Sequence, residues 1–134
     1  MNVHYRKYGI GRAVRVSVRA RAGQELAGHK YVYTIMYMEI VFELNPIKAA
    51  RNLRVHGISF AQAQDVFSDP NQVVSENYFV DGEQRYQIIG MTKRLVLLLV
   101  VYVDLSNPDR EIIRIISARE AEAFEVSLYE DQIN

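Results

Sequence analysis

Cysteine is absent from the 134 residues, which excludes a disulfide framework, a thiolate zinc site and a cysteine nucleophile, and fits a reducing cytoplasm. No apolar run approaches the ~20 residues that a membrane-spanning helix needs. The longest, residues 95–103, is expected to be a buried strand. Phosphate-binding glycine loops, HExxH and acidic calcium loops are also missing. His4, His29 and His56 stand far apart without a second ligand at metal spacing, so neither a metal nor a cofactor is expected.

Net charge is zero as well, but the balance hides a split. Residues 1–37 hold seven basic side chains (Arg6, Lys7, Arg12, Arg15, Arg19, Arg21, Lys30) against the single acid Glu25, a net of plus six. Residues 38–134 therefore carry minus six. The first segment has scattered glycines, no helical period and only a short Val14, Val16, Val18 alternation. It reads as an appendage to a domain over 38–134. Three explanations stand for it: a basic nucleic-acid-binding arm, an Arg-rich targeting peptide, or upstream sequence included by an early start, since Met36 and Met38 directly precede the first convincing strand.

What is present from there on has the pattern of an α+β domain. Ile40-Val41-Phe42 predicts a strand. Asn45-Pro46 predicts a helix start, because Asn caps free amides and Pro fits the first helical position. The helix is expected to end at His56-Gly57, with Ile47, Ala50 and Leu53 as its buried face. Ser59-Phe60-Ala61-Gln62 matches a capping box, followed by Phe60, Ala63, Val66 and Phe67 at helical spacing and a stop at Asp69-Pro70. Strands are then predicted over 73–80, 84–90, 95–103 and 111–116, the first two joined by an Asp81-Gly82 turn. Apolar on both faces, 95–103 is expected to be central. Ser117-Ala118-Arg119-Glu120 matches a second capping box, which places Ser117 at the start of a terminal helix cored by Ala121, Phe124 and Leu128.

The polar residues that stand out are isolated: Lys48, His56, Arg85, Tyr102, Arg114, Ser117 and Arg119. Each has an ordinary structural explanation. Lys48 suits a solvated helix face, Arg85 and Arg114 suit exposed strand positions, and His56 suits a helix C-terminus through the helix dipole. Ser117 reads as a cap, and Tyr102 as a partly buried aromatic.

Order and spacing add more than any one of these. Phe42-Glu43-Leu44-Asn45-Pro46-Ile47-Lys48-Ala49-Ala50-Arg51-Asn52-Leu53 followed by His56-Gly57-Ile58-Ser59-Phe60 resembles the opening of the BrnT family of ribonuclease toxins. Asp81-Gly82-Glu83-Gln84-Arg85-Tyr86, Gly90, Val100-Val101-Tyr102, Arg114-Ile115-Ile116-Ser117-Ala118-Arg119 and the Glu125, Tyr129, Glu130 ending are similar to that family too. The likeness covers residues 39–131. It implies a RelE-like toxin fold: a four-stranded antiparallel sheet with two N-terminal helices and a C-terminal helix. It implies a type II toxin that inhibits translation by cutting RNA, and a BrnA-like ribbon-helix-helix antitoxin through which alone DNA is contacted, with no membrane partner. A metal-independent endoribonuclease must remove a proton from a ribose 2′-hydroxyl, supply another and neutralise phosphate charge. Arg85 and Arg119 are the candidates for phosphate and transition-state charge. His56 is the candidate for proton transfer, with Tyr102 second. Lys48, Arg51 and Arg114 are the candidates for substrate binding.

The chain departs from the family in three places. Leu44-Asn45 stands where Trp-Asp is usual, Val55 where Lys precedes the His-Gly pair, and the terminal helix is acidic where the family's is typically arginine-rich. Because RNA affinity depends on cations that neutralise phosphates, three readings follow: an active toxin, a catalytically decayed relic that only binds its antitoxin, and a binder assisted by the basic N-terminal arm.

Overall fold

A computed structural model describes residues 2–9, 12–26, 29–37 and 40–133, with side chains from residue 40 onward. Strands β1 (Asn2–Gly9), β2 (Arg12–Leu26) and β3 (His29–Tyr37) pair antiparallel into a three-stranded sheet. The valine alternation lies on β2, while the side chains of this segment, those of its valines, its basic residues, His4 and His29 included, lie outside the description.

Residues 40–133 build a second sheet of five strands, in the order β4-β8-β7-β6-β5. They are β4 (Ile40–Glu43), β5 (Val73–Val80), β6 (Glu83–Met91), β7 (Leu97–Asp104) and β8 (Glu111–Glu120). The meander from β5 to β8 is antiparallel as expected, and β7 lies at the centre of the sheet. The expected four-stranded antiparallel sheet of a RelE-like fold is not what forms. β4 adds a fifth strand and runs parallel to β8, from Ile40 opposite Glu111 to Glu43 opposite Arg114, so the sheet is mixed. The α+β class holds.

Helix α1 (Pro46–His56) starts and stops where the sequence places it. Asn45 Oδ1 accepts from the Ile47 and Lys48 amides at 3.0 and 3.2 Å, and Gly57 closes the helix in the left-handed region, φ 71°. Helix α2 (Phe60–Gln64) carries the Ser59/Gln62 capping box and passes into a 3₁₀ turn, Asp65–Ser68. Phe60, Ala63, Val66 and Phe67 are buried against Ile88, Leu98, Val100, Tyr102, Ile113, Ile115 and Ala118 on one sheet face. Gly90 permits this packing: a Cβ there would meet Val66 Cβ at 2.8 Å, closer than two carbons can approach. Asp81 and Gly82 both have positive φ, the geometry of a type I′ hairpin turn.

Helix α3 (Ala123–Ile133) covers part of the other face, where Tyr129 packs on Ile89 and Leu99. Both apolar helix faces read from the sequence prove wrong. Ile47 and Leu53 of α1 are 81% and 53% exposed, and Phe124 and Leu128 of α3 are 61% and 47% exposed. The buried residues are Asn52 in α1 and Glu125 with Tyr129 in α3. Ser117 is not a cap either, because β8 continues to Glu120. Among the described residues no helix is long and apolar enough to cross a membrane.

Candidate functional site

Beyond its pairing with β4, which stops at Arg114, β8 leaves one backbone edge open. α1 lies against that edge, and Asn52 takes the place of a neighbouring strand. Its Oδ1 accepts from the Ala118 amide at 3.0 Å, and its Nδ2 donates to the carbonyls of Ala118 and Ile58 at 2.8 and 2.9 Å. A buried amide that satisfies three backbone groups fixes both the position and the roll of the helix.

That roll opens a cleft of about 300 Å³ between α1 and β8, lined by Lys48, Arg51, Asn52, Val55, His56, Ile116 and Ser117. Lys48, Arg51 and His56 are exposed at its rim. No acid occurs between Glu43 and Asp65, so the helix side of the cleft carries only positive charge, whatever the net charge of the domain. A β-bulge shapes the strand side. Val101 pairs with Ser117 and Tyr102 with Ile115, leaving Ile116 as the extra residue. The bulge shifts the alternation, so that Ile113, Ile115 and Ala118 all reach the core while Ser117 turns to the opposite face.

Cross-strand partners share a face, and the register therefore groups the arginines. Arg85, Val103 and Arg114 form one row across β6, β7 and β8; Val101 and Ser117 share a row further along, and Leu99 and Arg119 another. Arg85, Arg114, Ser117 and Arg119 thus lie on the same sheet face. They differ in what holds them. Arg114 is paired with Glu83. Arg119 is gripped at both nitrogens by the carboxylate of Glu125, at 2.7 and 3.0 Å, and also donates to the Glu120 carbonyl. The Glu125 hydrogen bonds raise the Arg119 guanidinium above its ordinary range, against the effect of burial. Burial alone would raise the Glu125 carboxyl, but hydrogen bonds from Arg119 and the Glu122 amide, with the Arg119 charge, hold it below its usual value. Arg85 Nε is buried without a hydrogen-bond partner among the described residues.

Tyr102 is the candidate that the structure sets apart. It is 2% exposed on the face opposite Arg85, Arg114 and Arg119, edge-on to Phe67 at 5.0 Å and stacked with Tyr86 at 5.7 Å. Its place follows from alternation along β7, where Leu98, Val100 and Tyr102 all face the core. Three polar residues that matter in the structure were not among the candidates read from the sequence. Asn52 and Glu125 lay inside helices whose apolar stripes drew attention instead, and Asp69 read only as a helix stop. The buried Asp69 carboxylate accepts from the Met91 amide at 2.6 Å and from the Tyr129 hydroxyl at 2.7 Å. Among the described residues no three His, Asp or Glu side chains converge as a metal-binding group.

Residues 45–125, more than half the chain, match a family described as the ribonuclease toxin, BrnT, of type II toxin-antitoxin systems. That span begins at the Asn45 cap of α1 and ends at Glu125, so it holds every residue of the cleft and the partner of Arg119. No individual curated protein matches the chain.

Proposed function

The chain belongs to the BrnT family of type II ribonuclease toxins, and from that premise we propose that RNA is cut in the cleft between α1 and β8. The observation that carries this is the convergence there of Lys48, Arg51 and His56 with Ser117, in an open cleft whose helix wall has no acid. A ribose 2′-oxygen loses its proton, attacks the adjacent phosphorus and expels the 5′-oxygen, which takes up a proton. A 2′,3′-cyclic phosphate and a 5′-hydroxyl result. His56 is the imidazole of the cleft, the side-chain type most often used to pass protons in catalysis. Lys48 and Arg51 neutralise the phosphate oxygens. With these groups supplying charge and proton transfer, the proposed reaction calls for no metal. Arg85 continues the cationic track along the sheet face that Ser117 shares, while Arg114 is held by Glu83 as Arg119 is by Glu125. Arg119 would have to exchange Glu125 for a phosphate, so its assigned role is to hold α3, and Tyr102 is a packing residue.

RNA cleavage in the cytoplasm would block translation, and a BrnA-like antitoxin would restrain it. The engagement of Arg119 by Glu125 favours a second reading, in which cutting has been lost and antitoxin binding remains. Inducing the full chain in bacteria separates the two. Growth arrest with RNA fragments ending in cyclic phosphate, both abolished by His56→Ala, is the expected result. Normal growth at full levels of folded protein would leave the binding-only reading.

A further inference from the structure

Along α1, Ile47, Ala50 and Leu53 form an exposed stripe, 81% and 53% exposed at its two large residues, with Val55 at 59% on the rim of the cleft. A stripe at i, i+3 and i+6 covers about a third of a helix surface, the width that a partner helix occupies. Every charge that α1 itself carries is positive: Lys48, Arg51 and Arg54. The chain's own N-terminal segment carries plus six over residues 1–37 and is electrostatically the wrong cover. The acidic helix α3 of the same chain is tied to the other sheet face through Glu125 and Tyr129.

We propose that α1 is the docking surface for the antitoxin, through an acidic amphipathic segment whose apolar residues seat on Ile47, Ala50 and Leu53. This rests on the toxin reading above. Its carboxylates reach Lys48, Arg51 and Arg54, two of which line the cleft, so the contact that binds the partner also occupies the cations that RNA phosphates need. Apolar burial supplies most of the affinity, while charge sets approach rate and selectivity. Inhibition is then direct occlusion.

The test uses the full chain and the purified co-encoded antitoxin, with titration and RNA cleavage read side by side. Ile47→Gln with Leu53→Gln keeps helix-compatible residues at exposed positions outside the cleft. The double variant is expected to cleave RNA as the unaltered chain does, to bind the antitoxin at least tenfold more weakly, and to escape inhibition at concentrations that silence the unaltered chain. Arg54→Glu is expected to slow association and flatten its salt dependence. If the unaltered chain binds the antitoxin and the double variant binds it equally well, the docking surface lies elsewhere and this inference fails alone. If the unaltered chain binds no antitoxin, the toxin reading fails with it. A double variant that changes only self-association would assign the stripe to a second copy, whose exposed Phe124 and Leu128 beside acids offer a matching face.

Discussion

Helices α1 and α3 are eleven residues long each and meet the same sheet, yet they are opposites in charge. α1 carries Lys48, Arg51 and Arg54 without an acid; α3 carries Glu125, Glu130 and Asp131 without a base. They share a mode of attachment. Each is held by buried polar side chains, Asn52 in one and Glu125 with Tyr129 in the other, while large apolar residues face outward. Polar pins are directional, so they fix the roll of a helix more tightly than an apolar stripe of similar area. The basic helix is thereby turned to open a cleft, and the acidic one to cover an arginine.

For α1 the anchoring side chain is Asn52. Asn52→Ala would leave the Ala118 amide and two carbonyls without their partner, a loss of about 2–4 kcal/mol in denaturant unfolding, with faster hydrogen exchange at α1 than at α3. Equal exchange at both helices would show that α1 has other anchorage. For α3 the corresponding substitution is Glu125→Gln. Glu125 is nearly fully buried while the Arg119 side chain is about one-third exposed, so solvent softens the loss to about 1–3 kcal/mol. A carboxyl held below its ordinary value stabilises the fold above the unfolded-state titration, near pH 4.5, and that stability is lost as pH falls through the folded value. Thermal melts should therefore drop on acidification, and the part due to Glu125 should be absent from the Gln variant; an unchanged acid dependence would put the effect on other carboxylates.

The smallest effect belongs to Tyr129. Burial, then Asp69, pushes its hydroxyl up to about 12 from an ordinary 10. The fold keeps that proton longer than the unfolded chain, so the contribution is complete below pH 10 and lost as pH rises toward 12. Tyr129→Phe should cost about 1 kcal/mol at neutral pH and lessen the alkaline loss of stability, read by melts between pH 9 and about 12.

How much of this was legible depended on whether a signal was local. The caps Asn45 and Ser59, the stop at Gly57, the hairpin at Asp81-Gly82 and the apolar β7 follow from neighbouring residues, and the structure has them all. The parallel addition of β4 to β8 brings together residues about seventy positions apart, and nothing local records it. Ser117-Ala118-Arg119-Glu120 has the Ser and Glu spacing of a helix cap yet is strand, and the bulge at Ile116 breaks the alternation that would have marked it as strand. Both helix faces were misread for a shared reason: an apolar stripe predicts burial only where burial is what anchors the helix. For the site, α1 brings Lys48, Arg51 and His56 together with Ser117, and the sheet register collects Arg85, Arg114 and Arg119 on one face. Tyr102 separated from them by the parity of a single strand.

On this proposal RNA is cut in the cleft beneath α1 and not at the arginine beneath α3. Purified full-length chain acting on a short single-stranded RNA tests it, with Lys48→Ala/His56→Ala and Arg119→Ala compared at equal folded concentration. The cleft variant is expected to lose about a hundredfold or more in rate, while Arg119→Ala, corrected for its loss of stability, stays within a few-fold of the unaltered chain. Undiminished cutting by the cleft variant, or loss of cutting confined to Arg119→Ala, would contradict it.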